Sequence, residues 1–263
     1  MSNNASTLAP ARGRLRSVGV VGAGRLGTAL AAALAELGYT VHGPARRGEV
    51  PGGEAILLCV PDAEIPAAAR AVAGAAPFVG HTSGATALSA LGPARAQAFA
   101  LHPLQTFAVE PAGGSSLERF AGAGCAVAGS TPEALEVARR LARDLGMVSF
   151  EIDDRNRPAY HAAASVASNF LVTLQAAAEE LAASAGLPPA EARALLAPLV
   201  RQSVENWAAL GPERALTGPL ARGDDATVAR QRAAVAEVAP ALVALFDELV
   251  EHTRAVAARA VAA

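Results

Sequence analysis

From Leu15 to about Asp153, short apolar runs alternate with stretches in which apolar residues recur at helical spacing. SVGVVGAG (17–24) reads as a strand running into a glycine turn, and RLGTALAAALAELG (25–38) as a helix ended by Gly38. YTVHG, AILLCVPD, FVGHTSG and AFALHP follow as strands, all apolar enough to be covered on both faces. CAVAG, a helix over 132–145 and MVSFEID complete a last strand-helix-strand unit. This alternation predicts an α/β domain with a doubly wound, mainly parallel, Rossmann-like sheet. After Asp153 the strand pattern stops. A long helix from Pro158 to Gly186, a helical stretch over 187–211 and two further helices over 225–260 predict an all-helical domain. The expected organisation is an arm over 1–14, a sheet domain over 15–153 and a helical domain over 154–263.

Composition narrows the chemistry. The chain has 263 residues, 52% of them hydrophobic, and a net charge of −2, which suits neither a disordered protein nor a nucleic-acid binder. All 22 basic residues are arginine. Without lysine there is no Schiff-base lysine and no Walker-type phosphate lysine. Cys59 and Cys125 lie in apolar runs with no CxxC, so they read as small core residues of a reducing, cytoplasmic compartment, and no metal site is expected. The N-terminal segment lacks the apolar stretch of a signal peptide, and no apolar run is long enough to span a membrane.

GAGRLG places GxGxxG at Gly22, Gly24 and Gly27, directly after a strand and opening a helix. The first glycine permits a tight turn, the second lets a pyrophosphate approach the backbone, and the third allows close helix–strand packing. Gly22, Ala23, Gly24, Arg25, Leu26 and Gly27 are therefore candidate cofactor contacts. Where NAD-binding chains carry an acidic residue after the second strand, this one reads Ala45, Arg46, Arg47. Arginines without a carboxylate suit a 2′-phosphate, which favours NADP, with NAD as the alternative and a solvated basic turn as the non-functional reading. Val60, Pro61 and Thr82, at the ends of two later strands, should also border the cofactor.

HTSGA (81–85) and LHPLQTF (101–107) end at the same rim and carry Ser83, Gln105, Thr106 and His102. An imidazole near its ordinary pKa there would exchange a proton with a substrate hydroxyl, whereas a structural His102 would only tie the His-Pro turn that closes its strand. His81 precedes the turn and reads as a packed residue. In the long helix His161, Ser165 and Asn169 recur at i, i+4 and i+8, with Tyr160 beside them. That stripe would line a cleft between the domains or meet a neighbouring helix or subunit. In LTGPLARGD, Asp224 or Asp225 is placed to cap the next helix, and Arg222 is a lesser candidate for a substrate anchor.

GVVGAGRLG, CVPD, HTSGA, LHPLQTF, YHAAASVASNFLVTL and LTGPLARGD, in this order, resemble a family of bacterial Rossmann-like oxidoreductases with a helical C-terminal domain of unknown function. The resemblance covers nearly the whole chain beyond the arm and implies NAD(P) binding and a homodimer, but no settled substrate. More distantly, LHPLQTF is similar to the His-Pro segment of prephenate dehydrogenases, which implies His102 as the base and Ser83 as a contact to the same hydroxyl. SVASN resembles the Lys-x-x-x-Asn pair of β-hydroxyacid dehydrogenases, which implies Asn169 as an orienting residue; Ser165 stands where that family has lysine. With pyrroline-carboxylate reductases the likeness is one of architecture. The implied function is NADP-dependent hydride transfer to or from a small hydroxy/keto or imine substrate in the interdomain cleft, with no nucleic-acid or membrane partner and a homodimer through the C-terminal helices. The alternatives are an imine reductase of the pyrroline-carboxylate type and a non-catalytic NADP(H)-sensing protein, which the lack of lysine mildly favours over a hydroxyacid dehydrogenase.

Overall fold

The computed structural model describes residues 15–108 and 115–262, with side chains to residue 260. The arm expected over 1–14 lies outside the described residues. Seven strands form one sheet: β1 (Ser17–Val21), β2 (Thr40–Ala45), β3 (Ala55–Leu58), β4 (Phe78–His81), β5 (Gln97–Leu104), β6 (Gly124–Gly129) and β7 (Val148–Glu151). Their spatial order is β2-β1-β3-β4-β5-β6-β7. Every neighbouring pair is parallel except β5 and β6, which run antiparallel. The sheet is thus Rossmann-like and mainly parallel, as the pattern implied. Chain order reverses between β1 and β3, so the carboxyl ends of these two strands border the crevice in which such sheets bind ligands.

Three helices accompany the strands: α1 (Arg25–Glu36), α2 (Ile65–Ala71) and α3 (Pro132–Asp144). Strand alternation sorts the core into two layers. Leu57 packs in one cluster with Leu30 and Leu34 of α1 and Leu141 of α3. Its neighbours Ile56 and Leu58 pack in the other cluster with Ile65 and Ala69 of α2. This two-sided burial is why β3 reads as an uninterrupted apolar run.

His102 does not end its strand. β5 continues to Leu104, with His102 opposite Ala126 and Pro103 opposite Cys125 in the antiparallel pairing with β6. β4 stops at His81, opposite Ala100, so beyond that point one edge of β5 is open. An open edge is where a sheet tolerates proline. His102 therefore lies on a strand segment that overhangs its neighbour.

The chain divides into two compact units, the first closing at Val166 and the second opening at Ala167. The sequence pattern set this boundary at 153. The difference is α4 (Arg157–Ser165), which belongs with the sheet because Arg157 is fully buried and Tyr160 bonds to His102. The second unit holds α5 (Leu171–Ser184), α6 (Pro189–Leu210), α7 (Pro212–Ala215), α8 (Asp225–Val238) and α9 (Val243–Ala262). The single long helix expected from Pro158 is broken by a π-helical turn over Val166–Phe170. A π turn takes more residues per turn than an α-helix, so the i, i+4, i+8 stripe is interrupted between Ser165 and Asn169. Asp224 caps α8 by accepting the Thr227 N–H at 3.0 Å.

Candidate active site

The glycine turn forms first. Gly22 leaves β1 with φ +106°, and a Cβ there would lie 2.2 Å from the Cys59 carbonyl oxygen. A Cβ on Gly27 would lie 2.0 Å from the Gly22 oxygen. Both glycines are required by the protein's own packing. Gly24 differs: it caps α1, and a Cβ on it would meet no atom within 4 Å. Nothing in the fold requires glycine at that position.

Beside this turn lies a cavity of about 540 Å³ between the ends of β1, β2 and β3 and the small side chains of α2. Gly22, Ala23, Gly24, Ala45, Arg46, Arg47, Val60 and Pro61, which the sequence offers as cofactor contacts, all border it. Arg25 is exposed at the start of α1, and Leu26 packs on the core rather than on the cavity. Thr82 is buried, its hydroxyl donating to the Leu58 carbonyl at 3.4 Å, and it does not border this cavity. Cys59 borders the cavity half-buried, while Cys125 is a core residue; burial pushes both thiols up to about 12.

Two carboxylates that the sequence reading missed share the cavity wall. Glu49 accepts the Arg46 backbone N–H at 2.8 Å, and Glu64 pairs with the Arg47 guanidinium at 2.9 Å. Strand β2 ends without an acidic residue, and the turn beyond it folds Glu49 back onto Arg46.

A second cluster stands at the overhang of β5. His102 Nδ1 lies 2.7 Å from the Tyr160 hydroxyl, and the two rings meet edge-on with centroids 5.5 Å apart. The His161 ring is 6.2 Å from that of His102. Between the histidines sits Gly84, where a Cβ would lie 2.9 Å from His102 Nε2 and 2.9 Å from His161 Cδ2. Ser83 shapes this loop. Its Oγ accepts the Ala85 and Thr86 N–H groups at 3.2 and 2.9 Å and lies 2.9 Å from Thr86 Oγ1. Those bonds occupy the hydroxyl within its own turn. Ser165 is half-buried at the end of α4, and Asn169 is exposed in the π turn of the second unit. Gln105 and Thr106 are exposed beyond β5, and Arg222 is exposed in its loop.

Arg157 is the residue that sequence reasoning passed over. Its side chain is 0% exposed; Nε donates to Asp154 at 2.7 Å, and neither terminal nitrogen has a hydrogen-bond partner among the described residues. Asp154 also accepts the Leu88 N–H, so the pair ties the start of α4 to the segment that follows the Ser83 turn. No sequence signal distinguishes it from the exposed arginines, because burial is set by packing.

His102 and His81 do not sit near their ordinary pKa. Burial foremost, then the neighbouring His161 and Arg157, lowers His102 to about 4. Burial, then Arg157, lowers His81 to about 4 as well, against the opposing pull of Asp62 and Asp154. His81 Nδ1 accepts the Ser83 N–H at 3.2 Å, so this ring is a packed residue, as expected. Both histidines bind protons more weakly in the folded chain than in the unfolded one. Their contribution to stability is therefore complete above about pH 6.5 and is lost as pH falls toward about 4. The melting temperature should fall between about pH 7 and pH 4.5, and less steeply in His102→Ala. Equal slopes in thermal melts of the two proteins would contradict this.

Residues 123–253 match the family model "Domain of unknown function (DUF2520)". The chain carries the DUF2520 domain. The domain begins at β6 and runs to α9, so it takes in the end of the sheet as well as the helices. Among solved structures, the chain is similar to BF3122 of Bacteroides fragilis, a protein assigned provisionally to the NADP oxidoreductases. The two are 21% identical, with a TM-score of 0.75 over 91% of this chain and 98% of that one. It is also similar to protein TM1727 of Thermotoga maritima, at 23% identity and a TM-score of 0.73 over 92% and 98%. Pyrroline carboxylate reductase of Plasmodium falciparum, solved with NADP bound, matches at 10% identity and a TM-score of 0.59 over 92% and 98%. No curated protein matches. At these identities the likeness is one of fold: the DUF2520 domain is here part of a Rossmann-like chain with the architecture of NAD(P)-dependent oxidoreductases.

Proposed function

We propose that the chain is a nicotinamide-dependent oxidoreductase that binds its dinucleotide in the cavity between β1, β2 and β3. The observation that carries this reading is Gly24, the one glycine of the motif whose Cβ would meet no protein atom, at a helix N-terminus beside a cavity of about 540 Å³. Gly22 to Gly24 would hold the pyrophosphate, with the α1 N-terminus favouring its charge. A bound nicotinamide supplies or accepts a hydride. His102 would serve the proton side of the reaction, and Ser83 would hold the loop that keeps Gly84 clear of it. The name of the Plasmodium neighbour, a pyrroline carboxylate reductase with NADP bound, supports a carbonyl or imine substrate of small size.

Within that reading we assign NADP as the preferred cofactor. Arg46 and Arg47 border the cavity; Arg46 would meet a 2′-phosphate first, and Arg47 would join it by exchanging its Glu64 partner for the phosphate. NADPH should bind at least about tenfold more tightly than NADH, a gap of about 1.4 kcal/mol. Calorimetric titration with both cofactors checks it. The reverse preference would favour the second reading, in which Glu49 serves a ribose diol and the cofactor is NAD. Turnover of NADPH over a panel of keto acids and cyclic imines then tests the enzyme itself. Tight binding without turnover of any member would favour an NADP(H)-sensing protein.

The second unit supports a homodimer. Its buried apolar side chains among the described residues are Ala192, Val228, Val235, Ala239 and Val250, all of them small. Meanwhile Leu199 is 64% exposed, Leu195 61% and Trp207 57% along α6. A helical unit that leaves its large apolar residues in water gains most by covering them with a second copy. Light scattering at micromolar concentration should give twice the chain mass; a monomer would refute the assignment.

A further inference from the structure

The contact between Tyr160 and His102 decides what kind of group the candidate site offers its substrate. We propose that Tyr160 is a positioning residue that fixes the tautomer of His102, so that the imidazole presents an N–H donor at Nε2. The Tyr160 hydroxyl lies 2.7 Å from Nδ1, within hydrogen-bond range and on the side of the ring away from Nε2. A phenol is the stronger donor and the weaker acceptor of the two, and the bond is therefore O–H to nitrogen. With Nδ1 accepting, the neutral ring carries its proton on Nε2.

Both partners are held. The Tyr160 ring meets Phe150 edge-on at 5.8 Å and His102 edge-on at 5.5 Å. On the far edge of the imidazole stands Gly84, where a Cβ would lie 2.9 Å from Nε2, so any larger residue would block that nitrogen. The charged and titratable groups around His102 are His161, Arg157 and Asp62. Of these Arg157 is buried and permanently charged, so it opposes a second proton on the ring. Tyr160 also resists ionisation, pushed up to about 12 chiefly by burial, and remains a hydroxyl donor. A ring locked in this form suits an acceptor atom: a carbonyl oxygen or an imine nitrogen. It does not suit an alcohol waiting to lose its proton to a base. The substrate class that follows is a ketone, aldehyde or imine whose acceptor atom the Nε2–H holds by a hydrogen bond while hydride adds at carbon, the balancing proton coming from solvent; this rests on the oxidoreductase reading above. The tautomer itself is a property of the free protein.

The test uses the full chain labelled with ¹⁵N-histidine, at neutral pH and without ligand, observed by long-range ¹H–¹⁵N correlation. The His102 signals are assigned by their loss in His102→Ala. His81 serves as an internal reference, because its Nδ1 accepts a backbone N–H and its proton must lie on Nε2. The expected result is a His102 with its proton on Nε2 and an unprotonated, hydrogen-bonded Nδ1. In Tyr160→Phe the Nδ1 signal should move to the position of an unbonded ring nitrogen or split between tautomers. A proton found on Nδ1 in the unaltered protein would overturn the proposal, as would an unchanged His102 spectrum in Tyr160→Phe. If that variant fails to fold, the spectrum of the unaltered protein still decides where the proton lies. On a substrate that is turned over, Tyr160→Phe should lower kcat about 10- to 100-fold, as loss of an orienting partner does, with NADPH affinity unchanged within about twofold. Failure of the chain to bind NADPH would remove the oxidoreductase reading and leave the tautomer result standing, so the two outcomes are separable.

Discussion

Replacing Gly24 with valine is expected to weaken NADPH binding at least about 100-fold, roughly 2.7 kcal/mol, while leaving the melting temperature within about 2 °C. The asymmetry follows from what surrounds each glycine of the motif. A side chain at Gly24 grows into space that holds no protein atom within 4 Å, so the folded chain is untouched and only a ligand at the α1 N-terminus is displaced. At Gly22 or Gly27 even one methyl would strike a backbone carbonyl oxygen at 2.2 or 2.0 Å. Alanine at either position should therefore lower stability by overpacking, on the order of 1–3 kcal/mol or more, before it affects binding. Thermal melts and calorimetric titrations on the same preparations separate these cases. A Gly24→Val protein that binds NADPH normally would show that the cavity does not hold a dinucleotide.

The other large effect belongs to His102. In His102→Ala, turnover of any accepted substrate should fall by about 10²–10³, the usual worth of a hydrogen-bond donor to the atom that gains charge, while NADPH affinity stays within about twofold. An imidazole lowered to about 4, chiefly by burial, is neutral throughout the ordinary working range. The profile of kcat/KM against pH should consequently lack a His102 limb near neutrality and show one only as pH approaches about 4. A structural role predicts the opposite pair of results, a lower melting temperature and unchanged turnover in the folded fraction. Measuring stability and turnover together decides between them.

The elements most legible in the chain are those whose signal is local. Strand β3 announces itself because Ala55, Ile56, Leu57 and Leu58 are buried on both faces, and the Gly22 and Gly27 spacing is dictated by contacts within one strand-turn-helix. Helix α3 starts at Pro132 behind its Thr131 cap, and α8 behind Asp224, both of which are readable from a few neighbouring residues. What resisted reading depends on partners far away in the chain. The overhang of β5 past β4 comes from its antiparallel pairing with β6, and it changes His102 from a strand terminus into a strand residue with one open edge.

By itself the sequence determined a Rossmann-like sheet, the glycine turn and the arginines that follow β2, because propensity, alternation and turn chemistry act over a few residues. Only the tertiary structure decided which polar groups meet. It buried Arg157 beside Asp154, occupied the Ser83 hydroxyl within its own turn and folded Glu49 and Glu64 onto the arginines of the cavity. It also brought Tyr160 to His102 across 58 positions of chain. The pKa of an imidazole and the tautomer it adopts are set by desolvation and by the nearest charges and donors. Those are distances in space, and a pattern read along the chain does not contain them.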